Sequence, residues 1–387
     1  MTADLRGADA VTVRAAIESD DPLPGTAGFA GELDGALVRD VLGRELVYVD
    51  RQDPSAWAFD PGDLADPELV PAGHLRPLAD GPDTDGETAR RVWTLPDPDP
   101  DPELDEDVAI ERLRTAVAGS IDAAGSIDAV AESTDGTEKS GLAVAFSGGV
   151  DSTAIAARTD APLYVAGFEG SHDLEAARSA AAAIGREDDL RVVEVTHETI
   201  ERAVGEVVAA TGRTNAMDVQ IAVPLYLVAE RVAADGYDRL ALGQGADELF
   251  GGYAKVAKAP DDPRVSADTV RGARRETVLG LPDGLERDLR TLRATGVEPV
   301  TPLLHDRVVR VALELPGELL VAGEERKVAF RRAVGAWVPA SVADRDKKAL
   351  QYGSLVTREL DRLARQNGFK RRLNDHVRKY VESITEP

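Results

Sequence analysis

The sequence predicts an α/β protein: a parallel sheet with helices on both faces, a helical C-terminal part, and a small β-rich domain ahead of them. Three observations carry this. From Gly141 onward, apolar runs without polar alternation recur between helical stretches, as in strands buried on both faces. Short strand-like runs separated by Gly, Pro and Asp fill residues 1–96. After Tyr253 the apolar spacing is mainly helical.

Taken in order, Gly35-Ala36-Leu37-Val38 and Leu46-Val47-Tyr48-Val49 read as strands, and residues 1–96 are poor in helical periodicity. Residues 96–102 alternate Pro and Asp. That pattern fits neither a helix nor a central strand, so it reads as a stiff, charged linker. A helix is expected over about 105–118. The segment 119–139, with GSIDA at 119–123 and again at 125–129, reads mostly as a surface loop. The buried strands are 142–146, 162–168, 190–196 and 239–242. Helices are expected from Ser152 and over 174–184, 197–210 and 217–234, with residues 221–232 spaced as a core helix. Further helices fall at 265–280, 283–294, 306–314, 324–336 and 354–367. Domain boundaries follow at 1–96, 97–140 (linker and helix) and 141–387.

Composition narrows the function. The 387 residues carry 45 Lys+Arg against 70 Asp+Glu, a net charge of −25 that repels polyanions and argues against nucleic acid as a partner. Of the cations, 37 are Arg and 8 are Lys. A distributed, acidic, Lys-poor surface resembles that of proteins from salt-loving microbes such as haloarchaea, where salt screens self-repulsion. Cysteine is absent, which removes disulfides, thiolate metal sites and Cys nucleophiles. No apolar run approaches the ~18 residues of a membrane span, and MTADLRGADA has no basic start followed by an apolar stretch. The expected location is the cytoplasm. His172, His197 and His376 show no metal-ligand spacing, and Lys370-Arg371-Arg372 reads as a solvated helix face.

One string carries chemistry. Phe146-Ser147-Gly148-Gly149-Val150-Asp151-Ser152-Thr153 joins the first buried strand to a helix. Two glycines let the backbone approach an anion, and free N–H groups with Ser147, Ser152 and Thr153 hydroxyls favour phosphate. Asp151 would repel phosphate unless a cation stands between them, which implies Mg²⁺. No Lys follows the glycines, so this is not a Walker A loop.

The string resembles the pyrophosphate-binding loop of the N-type ATP pyrophosphatases (PP-loop), whose fold is of the adenine-nucleotide α-hydrolase, HUP type. A second string, Leu242-Gly243-Gln244-Gly245-Ala246-Asp247-Glu248-Leu249-Phe250-Gly251-Gly252-Tyr253, resembles the synthetase domain of the asparagine synthetase family, which usually reads SGEGSDExFGGY there. Further similarity lies in GFEGSHDLEAAR at 167–178, in Val297-Glu298-Pro299 with Pro302, and in Val338-Pro339-Ala340-Ser341-Val342 followed by Arg345 and Lys347. The resemblance covers about 141–355. Val38-Arg39-Asp40-Val41-Leu42-Gly43-Arg44, Tyr48, Trp57-Ala58-Phe59 and Pro71-Ala72-Gly73-His74 resemble the second half of the family's glutaminase domain. The catalytic Cys expected at position 2 is Thr2, so the N-terminal region reads as a cysteine-less, degenerate remnant.

The resemblance implies an AMP- and pyrophosphate-forming amide ligase that uses ATP and Mg²⁺. A carboxylate, aspartate foremost, attacks the α-phosphate, and ammonia then attacks the acyl-adenylate. It assigns Ser147, Gly148, Gly149 and Ser152 to pyrophosphate, Asp151 and Asp247 to Mg²⁺, and Phe146, Ala166 and Gly243 to the nucleotide pocket. Lys347, with Lys348 as the alternative, would contact the phosphates. Departures matter. The family Glu that assists amine attack is Gln244, which cannot act as a base; Glu248 or Glu298 would have to substitute. The family Arg of VEARVPFLD is Val300. Nitrogen would come from free ammonia, a separate ammonia-supplying protein or another amine. The same chemistry on another acid or amine, as in β-lactam synthetases, and a non-catalytic nucleotide-binding regulatory paralogue remain alternatives.

Overall fold

The computed structural model describes residues 3–78, 89–101, 103–126, 141–259, 267–345, 352–370 and 375–385. By its contacts the chain divides into two units that do not follow chain order. One comprises Met1–Ser120, Gln244–Glu286 and Leu303–Phe330; the other comprises Ile121–Gly243, Arg287–Pro302 and Arg331–Pro387.

The first unit begins with strand β1 (Ala3–Arg6) and helix α1 (Ala10–Ser19). Strands β2 (Ala30–Leu33), β3 (Ala36–Arg39), β4 (Tyr48–Asp50), β5 (Trp57–Ala58), β6 (Pro67–Leu69), β7 (His74–Pro77) and β8 (Arg90–Arg91) follow. They form two antiparallel sheets, ordered β1-β2-β3-β7-β8 and β5-β4-β6. The β-rich expectation holds, with one correction: α1 is a helix that the sequence reading did not place. Asp9 caps it, its Oδ1 accepting the Thr12 N–H at 2.9 Å, and Asp20 ends it in the left-handed region at φ 55°. Only Val13 and Ala16 of α1 are buried, so its periodicity is faint. They pack with Phe29, Leu33, Val38 and Trp93, where Phe29 and Trp93 meet edge to face at 5.5 Å.

Helix α2 (Glu106–Ser126) runs past the expected end at 118, so the described part of the GSIDA segment is helical rather than a loop. The cause is an apolar stripe that does not stop: Ile110, Leu113, Val117, Ile121 and Ala124 are all buried at helical spacing. Residues 127–140 lie outside the described range.

The second unit holds the parallel sheet. Strands β9 (Leu142–Ala145), β10 (Leu163–Gly167), β11 (Leu190–Glu194), β12 (Arg239–Ala241) and β13 (Glu298–Val300) run in the order β11-β10-β9-β12-β13, every pair parallel. Helices α3 (Val150–Ala156), α4 (His172–Ala183), α5 (His197–Thr211) and α6 (Ala216–Ala234) connect and cover it. The sequence placed four of the five strands. It missed β13 because Glu-Pro-Val is no apolar run. Its Pro299 suits an edge strand, where a missing N–H costs nothing. In α6 the core face is as expected, while Ile221 is 39% exposed.

Five described helices lying within the first unit follow β12: α7 (Ala246–Leu249), α8 (Ala254–Ala257), α9 (Val270–Leu279) and, beyond β13, α11 (Asp306–Glu314) and α12 (Gly317–Leu320); α10 (Leu281–Arg293) lies between α9 and β13. The helix expected over 324–336 is shorter. A hairpin, β14 (Val321–Ala322) with β15 (Glu325–Arg326), precedes α13 (Val328–Val334), because Gly323 and Lys327 both take positive φ and break the helical run. The C-terminal part, α14 (Ala340–Ala343), α15 (Tyr352–Gln366) and α16 (His376–Thr385), is helical as expected, although α14 and α16 were not placed. No described helix is long and apolar enough to cross a membrane.

One pH dependence follows from α11. His305 caps it, its Nδ1 accepting the Arg307 N–H at 3.2 Å. Burial first, and then the neighbouring Arg307 charge, lowers its pKa from 6.5 to about 4. The folded state therefore resists a proton that the unfolded chain accepts near 6.5, and stability is lost as pH falls from there toward 4. Because His305 is only partly buried, the expected loss is about 1–2 kcal/mol in urea unfolding between pH 7 and 4.5. H305N, which keeps a neutral cap, is expected to lose this part of the slope.

Candidate functional site

The phosphate loop of the second unit grows from the end of β9. Phe146 is fully buried and donates its N–H to the Tyr164 carbonyl at 2.7 Å, which fixes where the chain leaves the sheet. Gly148 then turns at φ +71°, and a Cβ there would stand 2.6 Å from the Ala176 carbonyl oxygen. Only glycine fits, so the first glycine of the motif is a packing requirement before it is a binding one. The serines close the turn on themselves. Ser147 N–H donates to Ser152 Oγ at 3.2 Å, Gly149 N–H to Ser147 Oγ at 3.4 Å, and the Ser152 hydroxyl to the Gly149 carbonyl at 3.2 Å. Asp151 follows in the first turn of α3. Gly243, just past β12, packs on this turn: its Cβ would meet Asp151 Cβ at 2.9 Å. This follows from the register, in which Ala241 of β12 lies beside Val144 of β9.

Ala166, buried near the end of β10, lines a small cavity with Gly167, Phe168, Asp173, Val195 and Pro224. Burial raises the Asp173 carboxyl pKa above its ordinary value. The cavity therefore opens at the carboxyl end of the sheet, the end at which open α/β sheets take ligands.

The second motif forms an acidic turn in the first unit. Glu248 caps its own turn: Oε2 accepts the Gly245 N–H at 3.1 Å, and Oε1 accepts the Tyr253 hydroxyl. Burial pushes its pKa up despite these bonds. Thr277 Oγ1 donates to the Glu248 carbonyl at 3.2 Å. Asp247 Oδ1 meets Lys327 Nζ at 2.6 Å, and the Lys327 side chain is 3% exposed. Gly252 makes room for that pair, since a Cβ there would fall 1.9 Å from Asp247 Oδ1 and 2.3 Å from Lys327 Cε. The conspicuous glycine of the FGGY string thus serves a buried ion pair. Phe250 stacks on Phe330 at 4.9 Å beneath it.

The sequence-assigned residues fall into three sets. Phe146, Ser147, Gly148, Gly149, Asp151, Ser152, Ala166 and Gly243 gather at the carboxyl ends of β9, β10 and β12. Gln244, Asp247 and Glu248 share the acidic turn. Glu298 joins neither: it starts edge strand β13 opposite Arg239, at the amino end of the sheet, and accepts from Arg293 Nε at 2.9 Å. Lys347 and Lys348 lie outside the described residues, as do Thr2 and Arg371–Arg372 of the basic run. Lys327 is the residue that sequence reasoning missed. Its signals were its rarity, as one of 8 lysines, and its place in a Glu324-Glu325-Arg326-Lys327 string that reads as a solvated helix start. Among the described residues no three His, Cys, Asp or Glu gather as a metal site. Mg²⁺ that arrives on a nucleotide keeps waters and needs only one or two protein carboxylates besides phosphate, a need Asp151 can meet, while Asp247 is already paired with Lys327.

Comparison with known proteins agrees with this geometry. The family model described as asparagine synthase matches residues 127–281 and 271–383, about two-thirds of the chain. A putative asparagine synthetase [glutamine-hydrolyzing] 1 of Methanocaldococcus jannaschii is 29% identical over 273 residues, covering 61% of this chain and 50% of that protein. Asparagine synthetase B [glutamine-hydrolyzing] of Escherichia coli is 29% identical over 195 residues, covering 49% and 34%. An asparagine synthetase [glutamine-hydrolyzing] 1 of Lotus japonicus is 25% identical over 364 residues, covering 82% and 55%. The chain thus spans about half or less of the length of the first two relatives. With the family model covering the sheet, the phosphate loop and the acidic turn, the chain belongs to the asparagine synthase family.

Proposed function

We propose that this chain is an ATP-dependent amide ligase that forms AMP and pyrophosphate, activating the side-chain carboxylate of aspartate for attack by ammonia. The observation that carries the reading is the phosphate loop closed by its own serines, with Asp151 packed against Gly243 at the carboxyl ends of two adjacent parallel strands. A carboxylate oxygen attacks the α-phosphate and pyrophosphate leaves. Ammonia then attacks the acyl carbon, AMP leaves, and the attacking nitrogen gives up a proton. The protein's work is positioning and charge stabilisation. Ser147, Gly148, Gly149 and Ser152 hold the leaving pyrophosphate. Asp151 would hold Mg²⁺, joined by Asp247 if it exchanges its pair with Lys327, and the ion would supply charge neutralisation of the leaving group. Phe146, Ala166 and Gly243 border the nucleotide, and Lys347, or Lys348, reaches the phosphates.

Gln244 favours a second reading of the same chemistry, with another acid or amine. Gln cannot take the proton that a Glu takes there, Glu248 is committed to capping its own turn, and Val300 offers no cation to a second carboxylate. Without cysteine this chain has no thiol for glutamine hydrolysis, so ammonia comes free or from a separate protein. Work in the cytoplasm, on small molecules rather than nucleic acid, fits the acidic surface.

The test is ATP–pyrophosphate exchange by the purified chain in concentrated KCl, run against each amino acid. Aspartate-dependent exchange is expected. Exchange with a different acid selects the second reading, and nucleotide binding with no exchange for any acid overturns the ligase in favour of a regulatory paralogue.

A further inference from the structure

By sequence, residues 1–96 are a remnant of a glutaminase domain with no task left. Contacts inside the first unit give them one. The Arg44 side chain is 1% exposed. Its Nε donates to Asp40 Oδ1 at 2.8 Å, and its Nη1 donates both to Asp306 Oδ1 and to the Leu304 carbonyl, each at 2.7 Å. Asp40 in turn closes the loop that carries Arg44, accepting the Leu42 N–H at 3.0 Å and the Arg44 N–H at 2.9 Å. A guanidinium held by two buried carboxylates and one carbonyl has a single available position. Leu304, also fully buried, lies directly against Gly245: a Cβ on that glycine, at φ +92°, would stand 2.4 Å from Leu304 Cδ2. Gly245 begins the turn that presents Asp247 and Glu248. Three contacts therefore lead from the N-terminal sheets to the acidic turn: Arg44 to the Leu304 carbonyl, the Leu304 side chain to the Gly245 backbone, and the Gly245 N–H to Glu248.

We propose that Arg44 is a positioning residue that fixes Leu304 and, through it, the conformation of residues 244–252. The N-terminal region then persists as the scaffold of the acidic turn. The kinetic consequence rests on the ligase reading; the structural one does not.

Hydrogen exchange on the full chain separates the two. The Leu249 N–H donates to the Gly245 carbonyl and the Gly252 N–H to the Asp247 carbonyl, both at 2.8 Å, and these amides report the turn. In R44M their exchange is expected to rise about tenfold or more, while the strand β10 amides stay as in the unmodified chain. R44K, which keeps the charge without the planar fork, is expected to fall between. L304A leaves the charges in place and opens a gap beneath Gly245, so it keeps the test decisive if R44M fails to fold; it should loosen the same two amides. Under the ligase reading, kcat falls at least about tenfold with KM for ATP within about twofold, since the phosphate loop belongs to the other unit. Unchanged exchange at Leu249 and Gly252 in both R44M and L304A overturns the proposal. So does an even rise across the first unit that R44K does not relieve. If the unmodified chain proves to have no turnover, the ligase reading fails and the exchange result still decides the role of Arg44.

Discussion

D151N is expected to lower ATP-dependent pyrophosphate release by about 10³-fold, because a cation that neutralises a leaving group contributes several kcal/mol to the barrier. Asp151 stands in the first turn after Gly148-Gly149, where an uncompensated carboxylate would repel phosphate. Its presence there makes sense only with a cation between them. Asn keeps the size and the polar contacts, so the melting temperature should move by no more than about 2 °C. Steady-state release assayed across Mg²⁺ concentrations checks this: the variant should need far more Mg²⁺ and still not recover. Activity within a few-fold of the unmodified chain at ordinary Mg²⁺ would show that Asp151 is not a cation ligand.

D306A is expected to cost about 3–5 kcal/mol of stability, the range for breaking a buried ion pair from one side. Asp306 is fully buried. Its Oδ1 takes Arg44 Nη1 at 2.7 Å, while its Oδ2 accepts the N–H groups of Gly25 and Thr26 at 2.9 and 2.7 Å and the Thr26 hydroxyl at 3.2 Å. Removing it takes away one of the two buried carboxylates that hold Arg44 and leaves the Gly25 and Thr26 backbone donors without their acceptor. The exposed pair Arg112–Glu314, at 2.6 Å with side chains 47% and 40% exposed, is the natural control. R112A is expected to cost no more than about 1 kcal/mol, since solvent and salt already screen that pair. Urea unfolding of both variants in concentrated KCl measures the contrast. Equal losses would contradict the assignment of the energy to burial rather than to distance.

These two residues also mark how far the sequence could be read. The parallel sheet was legible because burial on both faces leaves an apolar run at 142–146, 162–168, 190–196 and 239–242, each alternating with helical spacing. Edge strand β13 was not, because an edge tolerates Glu and Pro. Helix α2 outran its expected end because Gly119 and Ser120 suggested a loop, while Ile121 and Ala124 continued the buried stripe. The phosphate loop was legible because its first glycine is sterically obligatory, with Gly148 pressed against Ala176. Lys327 and Arg44 were not. Their standing comes from burial among partners distant in the chain, Asp247 for one and Leu304 and Asp306 for the other. A local pattern cannot carry that. For the same reason the N-terminal region looked vestigial when judged by its missing cysteine and looks structural when judged by its contacts.

The proposed ligase stands on one step, attack of a carboxylate on the α-phosphate of ATP. Aspartate labelled with ¹⁸O in its side-chain carboxylate, incubated with ATP, Mg²⁺ and ammonium in concentrated KCl, tests it most directly. The carboxylate oxygen that bonds to phosphorus stays with the nucleotide when ammonia displaces it. AMP carrying one ¹⁸O is therefore expected by mass spectrometry, released in step with asparagine and pyrophosphate. ADP with inorganic phosphate, or AMP without label, would contradict it.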